Sequence, residues 1–367
     1  MATVKVSTMI SHFSSVKMLV FALMLSFILA VVVHLSIRDF KAVSSSARTW
    51  TPGYGPDLPK VPHLPKTGIL GKSTQLGLKL PHGRQQRLPG CIIVGFANGG
   101  ATALRELLSV HPGLAATRNE VKFFTENYQK GQSWYRQQMP LSFPSQITVE
   151  GTQTYIRSPE ALTRIFRFNA NIKLIAVVQD PVNRLLSAYI KEMSVLEPRD
   201  QLTFKEWCGF IYNAPKVLRY INYEAPIQEV YRHFPAKNLL VLSKEDVELR
   251  PFQTLKAVEK FLGLQPGLSP DEFVENTDRG GTCFNKNGLR YPLIREMMTA
   301  QKVLDLDTGC LVYDGNMPYV PGVRADPDFF QKVVGVAQKT NVRLFQLIGK
   351  TFDWTTNFKL AQAKRKT

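Results

Sequence analysis

Hydrophobic and polar positions divide the chain into three stretches of different character. The first ends in a run of twenty residues, Met18 to Ile37, without Asp, Glu, Lys or Arg and broken only by Ser26, His34 and Ser36. That is about the length needed to cross a bilayer. It predicts an uncleaved transmembrane helix over 18–37 behind a short tail, 1–17, because a cleaved signal peptide has a shorter apolar centre. From 38 to 87 no period is sustained, and proline and glycine recur from Pro52 to Gly71, which reads as an extended stem. From 88 to 367 short apolar runs alternate with helical periodicity: CIIVGF before ATALRELLSV, KLIAVVQ before NRLLSAYIKEM, NLLVLS before TLKAVEKFLGL. Fully apolar strands alternating with amphipathic helices predict a mostly parallel central sheet with helices on both faces. The expected fold class is α/β, in one domain over 88–367.

Charge narrows the partners. The chain has 46 Lys and Arg against 29 Asp and Glu, a formal charge of +17, which favours a polyanion: nucleic acid, anionic lipid or sulfated glycan. No nucleic-acid recognition motif is present, and a membrane anchor argues against that partner. Cysteines at 91, 208, 283 and 310 form no CxxC and no Cys/His cluster at zinc spacing, so no metal is expected. Cys91, within an apolar strand, reads as a small buried hydrophobe.

The segment GFANGGATAL, Gly95 to Leu104, lies between the first predicted strand and its helix. In parallel sheets that turn is the usual phosphate site, where glycines admit an anion and helix N–H groups face it. The spacing Gly95-x4-Gly100 matches a phosphate loop, but Ala101 stands where its lysine belongs, which disfavours nucleoside triphosphate hydrolysis. Asn98, Gly99, Gly100, Ala101, Thr102 and Ala103 are the candidate cofactor contacts; a plain tight turn is the alternative. Further on, Asn119-Glu120-Val121-Lys122-Phe123-Phe124 sets a carboxylate beside a cation and two aromatic residues. Glu120 is a candidate base, the alternative being a solvated surface residue. In QDPVNRLLSAY, Arg184 and Ser187 fall in the first turns of a helix opened by Asp180-Pro181. That suits a second phosphate, or else a helix capped by Asp180 with an ordinary Arg.

Taken jointly, these residues resemble the heparan sulfate glucosamine sulfotransferases, in particular the 3-O-sulfotransferases and, next to them, the sulfotransferase domain of the N-deacetylase/N-sulfotransferases. The similarity runs from about Gly95 to Trp354. Its points include His111-Pro112, Asn119-Glu120-Val121, Phe123-Phe124, Trp134-Tyr135, Met139-Pro140, Glu150, Thr152, Tyr155, Asp180-Pro181, Arg184, Ser187 and the closing Thr351-Phe352-Asp353-Trp354. The resemblance implies a single-pass type II Golgi membrane protein whose lumenal domain uses 3′-phosphoadenosine 5′-phosphosulfate to sulfate a heparan-type glycan. It implies that the first loop holds the 5′-phosphosulfate, that Ser187 helps hold the 3′-phosphate, that Glu120 is the base, and that Cys283 and Cys310 pair. Their 27-residue spacing leaves a longer loop than the 3-O enzymes have.

Departures from the family pattern fall in the same places. The family loop reads Lys-Gly-Gly-Thr-Arg or Lys-Thr-Gly-Thr-Thr, whereas this chain has Asn98-Gly99-Gly100-Ala101-Thr102. Lys122 stands at a family His, Thr125 at an Asp, Gly151 at a Lys and Gln179 at an Arg, and the late Lys-Gly-Arg stretch has no clear counterpart before Asp326-Pro327. Two expectations follow: an active sulfotransferase with a rebuilt site, in which Lys122 joins Glu120 in catalysis, or a silent relative that still binds glycan or nucleotide. Arg118, Arg157 and Lys191, near the motifs, are the expected contacts to a polyanionic acceptor.

Overall fold

The structure, a computed structural model, describes residues 83–209, 215–278, 280–299, 301–312 and 327–354, all within one unit, Gly77–Thr367. The expected tail and membrane helix, most of the stem, and Asp326 lie outside the described residues. Among the described residues no helix is long and apolar enough to cross a membrane.

Strand β1 (Gln85–Gln86) pairs with β4 (Leu141–Ser142) as a small antiparallel ribbon. The central sheet contains β2 (Cys91–Gly95), β3 (Leu114–Ala116), β5 (Ile147–Gly151), β6 (Lys173–Val178) and β7 (Leu239–Ser243) in the order β3-β5-β2-β6-β7. Every pairing in it is parallel, as the apolar runs predict. Alternation along the strands separates two cores. Cys91 and Ile93, with Val149, Ile175, Val177 and Leu242, pack on one face against Leu104, Leu107 and Leu108 of helix Ala101–Ser109 and against helix Pro251–Leu262. Ile92 and Val94, with Leu174, Ala176, Val178 and Val241, face helices Pro159–Phe168 and Glu224–His233 on the other side. Each side chain is buried by the pleat's period of two.

The helices that follow β5, β6 and β7 open on side-chain caps. Ser158 accepts from Ala161 N at 3.1 Å with Pro159 behind it. Asp180 accepts from Val182 N at 2.8 Å and Asn183 N at 3.2 Å before Pro181–Met193. Ser243 accepts from Asp246 N at 2.9 Å as Lys244–Leu249 begins. These caps satisfy orphan N–H donors, and because the sheet is parallel the turns after β2, β5, β6 and β7 gather at its carboxyl edge. Because β2 is central and the chain first builds one side and then the other, that edge holds the topological switch point. A third cluster, with Leu185, Leu186, Trp207, Val217 and Val333, packs helix Pro327–Ile348 on Pro181–Met193. Antiparallel β8 (Phe273–Asn276) and β9 (Gly281–Phe284) follow, and the Cys283–Cys310 disulfide closes the next 27 residues.

Candidate active site

The glycine loop is shaped from beneath. Phe96 N donates to Val177 O at 2.9 Å and Gly99 N to Phe96 O at 2.9 Å, coiling the backbone over the end of β6. A β-carbon on Gly99 would lie 2.5 Å from Val177 O, and Gly100 has φ 93, so neither position accepts another residue without strain. Asn98 has φ 58, a left-handed conformation that asparagine tolerates better than most side chains. Gly100 offers no side-chain cap to helix Ala101–Ser109, and the first turn carries no acid. Its N–H groups and dipole are left for an anion.

A cavity of about 460 Å³ opens on this loop, lined by Asn98, Gly100, Ala101, Thr102 and Ala103, by Ser187 and Lys191 on helix Pro181–Met193, and by Gln153, Lys244, Glu248, Lys302, Val303 and Val312. The expected loop residues and Ser187 therefore meet in one space. Gly99, buried beneath the loop, shapes that space without lining it. Arg184 does not reach it. It is 2% exposed, donating through Nε to Ala97 O at 2.9 Å and through a terminal nitrogen to Tyr220 O at 2.6 Å, with Phe96, Tyr220 and Tyr223 rings around its guanidinium. It clamps the glycine loop to helix Pro215–Ile221 rather than binding a phosphate. Asp180, the cap, is buried, which raises its carboxyl to about 7 against the pull of the N–H groups it accepts.

A second cavity, about 560 Å³, lies beside the first and is lined by Arg118, Asn119, Glu120, Val121, Asn127, Trp134, Met139 and neighbours. The turn carrying Glu120 is pinned from below. Thr152 Oγ1 accepts from Lys122 N at 3.0 Å and donates to Glu150 Oε1 at 2.5 Å, while Tyr135 OH donates to Glu150 Oε2 at 3.4 Å. Burial pushes the Glu150 carboxyl up to about 7. Phe123 and Phe124 anchor the same turn in the core, Phe123 stacked on Tyr135 at 4.2 Å between centroids.

Gln153 joins the two cavities. Its N–H donates to Glu120 Oε1 at 3.1 Å, and its side-chain amide donates to Thr102 Oγ1 at 3.2 Å. The Glu120 carboxylate and the first turn of helix Ala101–Ser109 thus hold opposite ends of one residue.

The expected cations part company. Arg118 lines the cleft of Glu120. Lys191 lines the loop cavity instead of that cleft. Arg157 lies in a separate hollow with Arg219 and Asn222, donates to Asn222 O at 3.1 Å, and is held down to about 10 by burial and by Arg184. Lys122 lines neither cavity; its ammonium pairs with the exposed Glu126, Nζ to Oε1 3.0 Å, and the Glu120 carboxylate also acts on its charge. At Gly151 a β-carbon would lie 3.4 Å from Cδ and 3.8 Å from a terminal nitrogen of Arg105; the buried Arg105 fills that space. Gln153, Lys244 and Lys302 were not among the residues singled out from sequence. The first two directly follow β5 and β7, so the rule that parallel sheets bind ligands beyond their strand ends was available to find them. Lys302 carries no such signal.

The chain resembles known proteins. Residues 88–281 match the family described as Sulfotransferase domain. Human heparan sulfate glucosamine 3-O-sulfotransferase 5 is 30% identical over 283 residues, covering 74% of this chain and 76% of that protein. Human heparan sulfate glucosamine 3-O-sulfotransferase 3A1 is 37% identical over 215 residues, covering 58% and 53%. Among solved structures, a sulfotransferase from Alicyclobacillus acidocaldarius matches with a TM-score of 0.47 at 18% identity, over 73% of this chain and 99% of its own. With its family match spanning more than half its length and a relative aligned over three quarters of both chains, the chain belongs to the sulfotransferase family, in the group of the heparan sulfate glucosamine 3-O-sulfotransferases.

Proposed function

We propose that this protein transfers sulfate from 3′-phosphoadenosine 5′-phosphosulfate to a glucosamine 3-hydroxyl of a heparan-sulfate-like glycan. The observation that carries the reading is the Gln153 bridge, which ties Glu120 to Thr102 at the mouth of the glycine loop. Nucleotide lies over the loop with its 3′-phosphate toward Ser187, and acceptor enters the cleft of Glu120 and Arg118. Glu120 takes the hydroxyl proton as that oxygen attacks sulfur, the bond from sulfur to the phosphate oxygen breaks, and the bisphosphate leaves with the charge. Helix N–H groups at Ala101 to Ala103 stabilise that developing charge. The relatives' names supply the acceptor class. We further propose that residues 18–37 anchor the protein in the Golgi membrane with 88–367 in the lumen. The Cys283–Cys310 disulfide supports that reading, since such bonds persist in oxidising compartments.

The test is sulfate transfer from labelled donor to heparan sulfate by the full chain, with the position of the new sulfate read from disaccharide analysis. Product carrying 3-O-sulfate supports the proposal. A second reading, a silent relative that binds nucleotide or glycan without turnover, is favoured by the neutral residues at Asn98, Gly151 and Gln179. Tight nucleotide binding with no transfer to any heparan acceptor would select it.

A further inference from the structure

The loop cavity is not short of positive charge even though its loop is. Lys191, Lys244 and Lys302 line it together with one carboxylate, Glu248. Lys244 packs directly over the loop: its Cγ and Cβ lie 2.7 and 3.0 Å from where a Gly100 β-carbon would sit. Its ammonium is 3.8 Å from Glu248 Oε1, so a carboxylate offsets part of its charge. Lys191 sits one helical turn beyond Ser187, on the same face, and belongs to the 3′-phosphate end. Lys302 differs from both. It is exposed, and among the described residues no carboxylate forms an ion pair with it.

The position of Lys302 is held by its surroundings. Its backbone has φ 54, and its N–H donates to Thr299 O at 3.1 Å at the end of helix Tyr291–Thr299. The next residues fold back, with Val312 N donating to Val303 O at 2.8 Å and Leu304 bridging Leu311. Ile294, Met298, Leu304 and Leu311 are buried in the core cluster that contains Leu104, Leu107 and Leu108 of the loop's own helix. The Cys283–Cys310 bond closes the whole segment. An exposed lysine is thereby carried to the cavity on a rigid support.

On the transferase reading of this cavity, on which the inference depends, we propose that Lys302, which lines it together with Asn98, supplies the cation that the glycine loop lacks, neutralising the 5′-phosphate end of the nucleotide. A flexible stem carrying a compact ammonium charge suits this task, because it reaches an anion without requiring a fixed fork geometry. The segment between the two cysteines then contributes to the active site as well as to stability.

The test is calorimetric binding of adenosine 3′,5′-bisphosphate to the full chain in detergent. Lys302→Asn removes the charge while keeping a residue that tolerates the left-handed backbone. It is expected to weaken binding about tenfold or more, the scale of one charge-assisted hydrogen bond. Lys302→Arg is expected to stay within about threefold of wild type, because it keeps the charge. Asn98→Lys placed in the Lys302→Asn background is expected to recover most of the lost affinity, which a purely structural role for Lys302 would not allow. Wild-type affinity in Lys302→Asn, or failure of Asn98→Lys to recover what is lost, overturns the inference and leaves the transferase reading standing. Absence of binding by the wild type overturns both.

Discussion

Glu120 and Gln153 form the contact on which the chemistry turns, and its residues can be tested singly. Glu120→Gln keeps an oxygen for the Gln153 N–H but cannot take a proton. It is expected to lower kcat for transfer by about 100-fold or more while bisphosphate affinity stays within about twofold, measured by turnover and calorimetry on the same preparation; retained turnover would remove Glu120 as the base. That the glycine loop and Ser187 meet in one cavity, with Glu120 lining the other, was legible in the sequence because each belongs to a short motif whose residue types suit an anion or a proton. Arg184 was misread for a physical reason. An arginine at a helix start resembles a phosphate ligand, and the rings that enclose it come from Phe96, Tyr220 and Tyr223, distant positions that only folding brings together. Lys122 stands next but one to Glu120 in the sequence, and its ion pair with Glu126 shows only in the fold.

The elements beneath the site impose a pH dependence. Glu150, at the end of β5, ordinarily titrates near 4.5 and is raised to about 7 by burial. A raised carboxyl favours the folded state fully below its unfolded value and loses that contribution as pH rises through about 7. Asp180 acts in the same direction. Glu150→Gln, which stays neutral, is therefore expected to lose less melting temperature between pH 5 and pH 8 than the wild type, by a few degrees; equal losses would show that Glu150 is ionised in the fold. The segment between the cysteines gives a second prediction. Cys283→Ser with Cys310→Ser removes the closure of 27 residues, and is expected to cost about 2–4 kcal/mol of stability. In the protein that remains folded it should weaken bisphosphate binding several-fold, because Lys302 loses its support. Unchanged affinity would detach that segment from the site. The strands and the helices behind them were legible because residues buried on both faces leave continuous apolar runs. The role of this segment was not, because Lys302 is fixed by long-range packing of Met298, Leu304 and Leu311, with no local pattern to mark it.

For the whole molecule, the charge of +17 favours capture of a polyanionic chain, and among the described residues Arg118 lines the cleft of Glu120 while Lys130 packs over Trp134 in its wall. Transfer to heparan sulfate is expected to fall steeply between about 50 and 300 mM salt as these charges are screened. Nucleotide binding, enclosed by the loop cavity, should fall less over the same range. Comparing the two salt profiles checks this, and equal slopes would argue against a charge-guided acceptor. A sulfotransferase whose loop lacks its lysine is expected still to turn over. The most direct test is the rate of sulfate transfer from 3′-phosphoadenosine 5′-phosphosulfate to heparan sulfate by the full chain, with and without Glu120→Gln. Transfer that places sulfate at the glucosamine 3-hydroxyl and disappears in Glu120→Gln is the predicted result. A folded wild-type chain that binds the nucleotide but yields no sulfated product would contradict it.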